Sequence, residues 1–149
     1  MEEKLKNDLL FVCVLIEQLG RTTCNHRSYV VTQMGESMIE HQLEYADINH
    51  CLRLEQVVEE VMEDANIESG SFDTVKECVY SVPSVQAIGK VYQRLIWEIR
   101  EENTTLAASV FQVFRSFISD GISDFNSNLF YNSPSYLRES FRAGCFLPE

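Results

Sequence analysis

The first segment of the chain carries apolar residues on two sides of a helix. Between Glu3 and Leu19, one set of apolar residues recurs every three or four positions, the spacing of a single helical face. A second set, between Leu10 and Leu15, lies on the neighbouring face. A helix that is apolar on two sides needs neighbours on both. We therefore expect this helix at the centre of a bundle, with Gly20 as its left-handed C-terminal cap.

The same periodicity returns along the rest of the chain. Only six Gly and three Pro occur, too few turn residues for a sheet of many short strands. The sequence predicts an all-α fold, a single-domain bundle of six or seven helices over residues 1–149 with no substantial sheet. The further helices are expected from an Asn25 N-cap to Gly35, from Glu36 to Asp47, from Leu54 to Ala65, from Ser84 to Ile99, from Thr104 or Thr105 to Ile118, and from Ser133 to Gly144.

Three finer points accompany this prediction. Gly89 inside a long helix indicates a close helix crossing, and Gly121 is expected to divide the helix that ends near Ile118 from a further turn. Residues 72–83 fit a short helix and an extended connection equally well. A subdivision of the domain near residues 66–83 therefore stays open.

Negative charge is concentrated in one part of the chain. The formal net charge is −11, and the segment from Glu36 to Glu77 contains twelve acidic residues and only two basic ones. Nucleic-acid backbones are bound mainly by Lys and Arg, so direct binding of DNA or RNA is not expected. The carboxylates are either the solvated faces of ordinary helices or a docking surface for a protein with a basic surface. The candidate partner-binding residues in this segment are Glu55, Glu59, Glu60, Glu63 and Asp64.

Aromatic residues are dense among Asp, Asn and Ser between Phe125 and Phe141. Aromatic rings with polar tips are favoured where one side of a surface is buried and the other is wet, as at protein interfaces. Tyr131 and Tyr136 are therefore further candidates for partner binding, in a groove or at the seam of a homo-oligomer. The alternative is that this segment closes the core.

Residues that could carry chemistry are scattered. Structural zinc sites usually present two pairs of closely spaced ligands, and the chain does not supply a second pair, so we predict no metal site. No nucleotide-binding or common hydrolase motif occurs, so we predict no catalytic residue and no cofactor, and a non-enzymatic role is favoured. The histidines and cysteines considered as ligands or as a Cys–His pair include Cys24, His26, His41, His50 and Cys51.

An enzyme or small-ligand protein is the alternative from another class. It would need a pocket between helices, and the side chains considered for its lining are Tyr92, Trp97, Tyr131 and His41. The longest apolar run, Leu9 to Ile16, is far shorter than the roughly 20 residues of a spanning helix. No secretory signal pattern is present, and five cysteines without a C-x-x-C pair do not suggest a disulfide framework. We expect a cytoplasmic protein without a membrane partner.

Four stretches between Leu9 and Val61 read LLFVCVLIE, SYVVTQMG, MIEHQLEYADINH and LEQVVEEV. They resemble a small bacterial family of short, acidic, helical proteins that are often encoded beside ADP-ribosyltransferase-like toxin candidates. The resemblance implies an interaction role, such as the antitoxin half of a toxin–antitoxin pair, and assigns no catalytic residue. Our hypothesis is a protein-interaction module that acts through its acidic surface. A further alternative is an inhibitor encoded by a phage or mobile element that mimics nucleic acid with its carboxylates.

Overall fold

The chain folds entirely into helices and connections in the computed structural model, which describes residues 1–148. Over these residues there are nine α-helices, one short 3-10 helix and no strand, which confirms the all-α prediction. The helix count exceeds six or seven because several helices have only four to six residues. The helices are α1 (Glu2–Thr23), α2 (Arg27–Glu44), α3 (Ala46–Asn49), α4 (Leu54–Asp64), α5 (Thr74–Glu77), α6 (Val85–Ile99), α7 (Leu106–Arg115), α8 (Ile118–Ser123) and α9 (Pro134–Ala143), with the 3-10 helix Leu129–Tyr131 before α9.

Helix α1 occupies the centre of the bundle, as its two apolar faces predicted. It packs against α6 and α2, and more lightly against α4 and α3. Leu9, Leu15 and Ile16 are fully buried, and they join residues of every long helix in one hydrophobic core cluster. In residues 1–148 no helix combines the length and the apolar character that crossing a membrane requires.

The crossing of α1 and α6 is close at Gly89, as predicted. A Cβ atom at this position would lie 2.5 Å from Val14 Cγ2 and 3.3 Å from the Val14 backbone nitrogen. Any side chain at position 89 would therefore push the two helices apart.

The predicted end of α1 at Gly20 is wrong. The helix continues to Thr23, and Cys24 adopts the left-handed conformation with φ of 56°. Gly20 lies inside the helix, where a Cβ atom would come within 2.5 Å of Arg27 Cδ. The glycine makes room for a buried arginine and does not end the helix.

Asn25 does not cap α2, contrary to the prediction. The helix begins at Arg27, and the Asn25 side-chain amide donates to Thr23 Oγ1 at 2.9 Å and to the Glu68 carbonyl at 2.7 Å. Asn25 therefore ties the end of α1 to the loop after α4. The predicted break at Gly35 is confirmed as a kink within α2, where φ is 74° and ψ is 161°.

Gly121 is not the boundary that the sequence suggested. The chain leaves helical geometry at Ser116, where ψ is 171°, and Gly121 lies inside α8 against the ring of Phe146. The ambiguous residues 72–83 contain both predicted alternatives, because one turn of helix (α5) is followed by an extended connection to α6.

The remaining predicted caps are confirmed. The hydroxyls of Ser84, Thr105 and Ser133 each accept a hydrogen bond from the backbone N–H three residues later. Gly144 ends α9 in the left-handed conformation with φ of 80°. Local capping chemistry therefore accounts for the starts of α6, α7 and α9 and for the end of α9.

Candidate functional site

Helix α4 presents its carboxylates to solvent. Its apolar side, formed by Val57, Val58 and Val61, is buried in the core. The five acidic residues of this helix that the sequence identified as candidates are all exposed, and Glu55, Glu59 and Glu63 lie on the side opposite the core. An amphipathic helix with this division keeps its charged groups available to a partner.

The carboxylates of the acidic segment from Glu36 to Glu77 form no ion pair with any described residue. Eleven of its twelve acidic residues are exposed, and the twelfth, Asp73, accepts a hydrogen bond from the Lys76 backbone N–H at 3.0 Å. Among the described residues, every ion pair uses a carboxylate outside this segment. The carboxylates that are paired belong to Glu2, Asp8, Glu17, Glu98, Asp120 and Glu139.

The lack of ion pairs in the acidic segment leaves its carboxylates to repel one another. Glu55, Glu59 and Glu63 follow one another at steps of four residues, so their side chains are neighbours on the surface of α4. Like charges at this spacing repel and destabilise a helix, and among residues 1–148 no cation lies within ion-pair distance of these three carboxylates to offset the repulsion. A cationic surface brought in from outside would relieve it.

Two of the acidic candidates also line a cavity. Glu60 and Asp64 of α4 face the second half of α2 across a space of about 490 Å³. His41 and Gln42 of α2 lie on the other side, and Asn49 also lines the cavity. The acidic surface therefore includes a cavity as well as exposed charged groups.

Exposed apolar side chains lie within the acidic segment. Tyr45, Ile48 and Leu52 all lie on the surface in the stretch between α2 and α4, and Ile48 has 58% of its surface exposed. Carboxylates precede and follow them, at Glu44 and Glu55. Apolar groups bordered by charged ones are the usual make-up of a protein-binding surface.

The two tyrosine candidates have different environments. Tyr131 is 70% exposed and lines a groove between α6 and the C-terminal segment. Tyr136 is half-buried against the core, and its hydroxyl donates to the Leu147 carbonyl at 2.7 Å. The aromatic segment thus closes the core through Tyr136 and offers Tyr131 to solvent. Tyr131 lines a different cavity from Glu60 and Asp64 of α4.

The histidines and cysteines do not converge. His26 stacks on Phe72, and its Nδ1 lies 2.8 Å from Asp120 Oδ1, whereas His41 contacts the ring of Tyr45. Within residues 1–148, no three His, Cys, Asp or Glu side chains are arranged to hold a metal ion. Burial raises the pKa of the Cys13 thiol far above its usual value, which keeps it protonated.

The four residues considered for a ligand pocket are also dispersed. Tyr92 is buried in the core and stacks on Phe114, and burial raises the pKa of its hydroxyl well above its usual value. Trp97, Tyr131 and His41 line three different cavities. In the part of the chain that the structure describes, these four side chains therefore do not come together around one cavity.

Sequence reasoning did not find the buried ion pair at the centre of the bundle. Glu17 and Arg27 are both inaccessible to solvent, and the guanidinium donates to both carboxylate oxygens, from Nε at 3.0 Å and from Nη2 at 2.8 Å. Arg21 adds a third contact to Glu17, at 2.7 Å. The signal was available, because Glu17 interrupts a helix that is otherwise apolar on two sides and therefore needs an internal cation.

The Glu17–Arg27 pair also organises the chain around it. Arg27 Nη1 donates to the Asn25 carbonyl at 3.0 Å and Nη2 to Thr74 Oγ1 at 3.2 Å, which joins α1, α2 and α5. Burial alone would lower the pKa of Arg27, but its hydrogen bonds and charge interaction with Glu17 outweigh this and raise it. Both members are saturated by internal partners, so the pair serves the fold.

No protein-family model matches this chain, and no curated protein and no solved structure with which it was compared matches it either.

Proposed function

We propose that the chain is a protein-interaction module that binds a partner with a basic surface through the acidic segment Glu36–Glu77. The observation that carries the proposal is that eleven of the twelve acidic residues of this segment are exposed and that none of the twelve is in an ion pair among residues 1–148. The cations of the chain that are in described ion pairs are bound by carboxylates outside this segment. A partner that supplies Lys and Arg would gain complementary charge and fast association.

Apolar side chains within the segment support a protein as the partner. Tyr45, Ile48 and Leu52 give the surface an apolar component that a polyamine or a simple counterion could not use. Protein interfaces combine such an apolar centre with a polar rim. The partner surface should therefore pair apolar residues with flanking Lys or Arg.

The resemblance to proteins encoded beside toxin candidates favours neutralisation of a toxin as the outcome of binding. The encounter would take place in the cytoplasm, where the five free thiols of the chain stay reduced. In this proposal the bound surface of the partner includes or covers the groups that make it toxic.

Affinity capture from the native host tests the proposal. Wild-type protein is compared with a variant that carries Glu55→Lys, Glu59→Lys and Glu63→Lys, and captured proteins are identified by mass spectrometry. We expect a specific partner with an excess of Lys and Arg on its surface, lost from the variant and released from wild type by raised salt.

A matched control separates local charge from net charge. Glu3, Glu101 and Glu102 are exposed and lie outside the acidic segment and outside every described ion pair, so their reversal changes the net charge equally. The control variant should capture the partner as wild type does. A partner retained by the first variant, or lost from both, would contradict docking through the acidic segment.

A further inference from the structure

A groove lies between α6 and the C-terminal segment, away from the carboxylates of α4. It has a volume of about 340 Å³, and its apolar lining includes Val91, Leu95 and Leu137. Phe130 and Tyr131 of the 3-10 helix also line it, and Tyr131 is 70% exposed. This volume falls within the range of small-molecule sites.

Two cations in this groove have no partner among the described residues. Lys90 and Arg94 are exposed, lie one helical turn apart on α6 and both line the groove, and neither takes part in a described hydrogen bond, ion pair or ring contact. The carboxylate one turn further along, Glu98, is bound by Arg138 at 3.4 Å. Like charges at this spacing repel, which is unexpected in a chain with 23 acidic and 12 basic residues.

The positive charge continues beside the groove. Arg94 also lines an adjoining cavity of about 420 Å³ together with Lys6, Trp97 and Glu98. Glu98 is bound by Arg138 and Lys6 by Glu2, so Arg94 is the cation of this cavity that is in no described ion pair. Lys6 Nζ of α1 lies 5.3 Å from the centre of the Trp97 ring, so a cation and an aromatic face lie beside Arg94. Such a surface attracts an anion that also carries a flat, apolar body.

We propose that this groove binds a small anionic ligand with a planar aromatic body, of the mononucleotide class. The phosphate lies between Lys90 and Arg94, where charge-assisted hydrogen bonds hold it. The aromatic ring of the ligand stacks on Tyr131, as bases stack on exposed aromatic side chains. A single phosphate fits better than a long polyanion, because the net charge of −11 repels an extended phosphate backbone. This site is independent of the protein-docking surface proposed above.

Titration of the full chain with AMP, followed by NMR chemical shifts, tests this proposal. For a half-open groove we expect a dissociation constant between about 10 µM and 1 mM, with the shifted resonances on α6 and around Tyr131. Replacing both cations, by Lys90→Gln and Arg94→Gln, should weaken binding at least about tenfold. Tyr131→Ala should weaken AMP but leave ribose 5-phosphate unchanged, because only AMP carries a base.

The control variant carries Arg53→Gln and Lys76→Gln, which remove two other exposed cations that are in no described ion pair. It should bind AMP as wild type does. No shift at about 5 mM AMP, or equal weakening in the two double variants, would overturn the proposal. Adenosine binding as tightly as AMP would also overturn it, since the phosphate would then contribute nothing.

Discussion

Removing Glu17 should destabilise the protein more than any change on its surface. In the folded chain its carboxylate is the counter-charge of Arg27, which is inaccessible to solvent. Glu17→Met would leave that guanidinium buried with only the Asn25 carbonyl and Thr74 hydroxyl as hydrogen-bond partners. Loss of one member of a buried pair typically costs about 3–5 kcal/mol, and we expect this range for the free energy of unfolding.

Replacing the other member of the pair, Arg27, should lower the free energy of unfolding by less. Arg27→Met leaves Glu17 in contact with Arg21, whose Nε lies 2.7 Å from the carboxylate, so the remaining charge keeps a partner. The double variant, with methionine at both positions, removes both buried charges and should be more stable than Glu17→Met alone. The coupling energy of the cycle should therefore exceed about 2 kcal/mol.

Urea unfolding of the four proteins, monitored by circular dichroism, gives these free energies, provided that the m-value stays constant. Glu139→Gln is the surface control, because Glu139 is in exposed pairs with Arg138 and Arg142, and it should change stability by less than about 0.5 kcal/mol. A cost below about 1 kcal/mol for Glu17→Met, with additive effects in the double variant, would refute the reasoning.

Three further predictions concern packing, capping and thiol access. Gly89→Ala should lower the free energy of unfolding by about 1–2 kcal/mol in urea titrations, because overpacking against α1 outweighs the gain in helix propensity; a stabilised variant would contradict the close crossing. Ser133→Ala should cost about 1 kcal/mol in the same assay through loss of the α9 N-cap, and an unchanged midpoint would count against the cap. In a thiol-reagent time course at pH 8, Cys51 and Cys145 should react at once and Cys13 only on unfolding, since Cys13 is buried and its pKa is raised; prompt labelling of Cys13 in the native protein would refute this.

The sequence predicted those parts of the fold that depend on local chemistry. A capping hydroxyl at Ser84, Thr105 or Ser133 satisfies backbone N–H groups within its own first turn, so the pattern alone locates the start of the helix. The two apolar faces of α1 likewise predicted its central place, because burial follows from periodicity.

The wrong boundaries have a different origin. Gly20 has the residue type of a helix cap, but it lies inside α1 because the Arg27 side chain crosses at that point. Gly121 similarly accommodates Phe146, and the backbone breaks at Ser116 instead. In both cases glycine is needed because a side chain distant in sequence packs against it. A local sequence pattern cannot predict such a contact.

The candidate surfaces were predictable only in part. The exposure of the carboxylates on α4 follows from its amphipathic pattern, but the sequence could not show that every described ion pair lies outside the acidic segment. The groove at Tyr131 could not be predicted from the sequence either. Lys90 and Arg94 lie beside the C-terminal aromatic residues only because α6 packs against α9.

The salt dependence of stability tests most directly whether the acidic segment is uncompensated. Raising NaCl from about 10 mM to 150 mM shortens the Debye length from about 30 Å to about 8 Å, which screens repulsion between exposed carboxylates. We predict that the free energy of unfolding rises with salt. Replacing Glu55, Glu59 and Glu63 by Gln should raise stability by roughly 0.5 kcal/mol at low salt and reduce the salt effect. A free energy of unfolding that falls with salt, or falls in this triple variant, would contradict the account, because the carboxylates would then be held in favourable pairs.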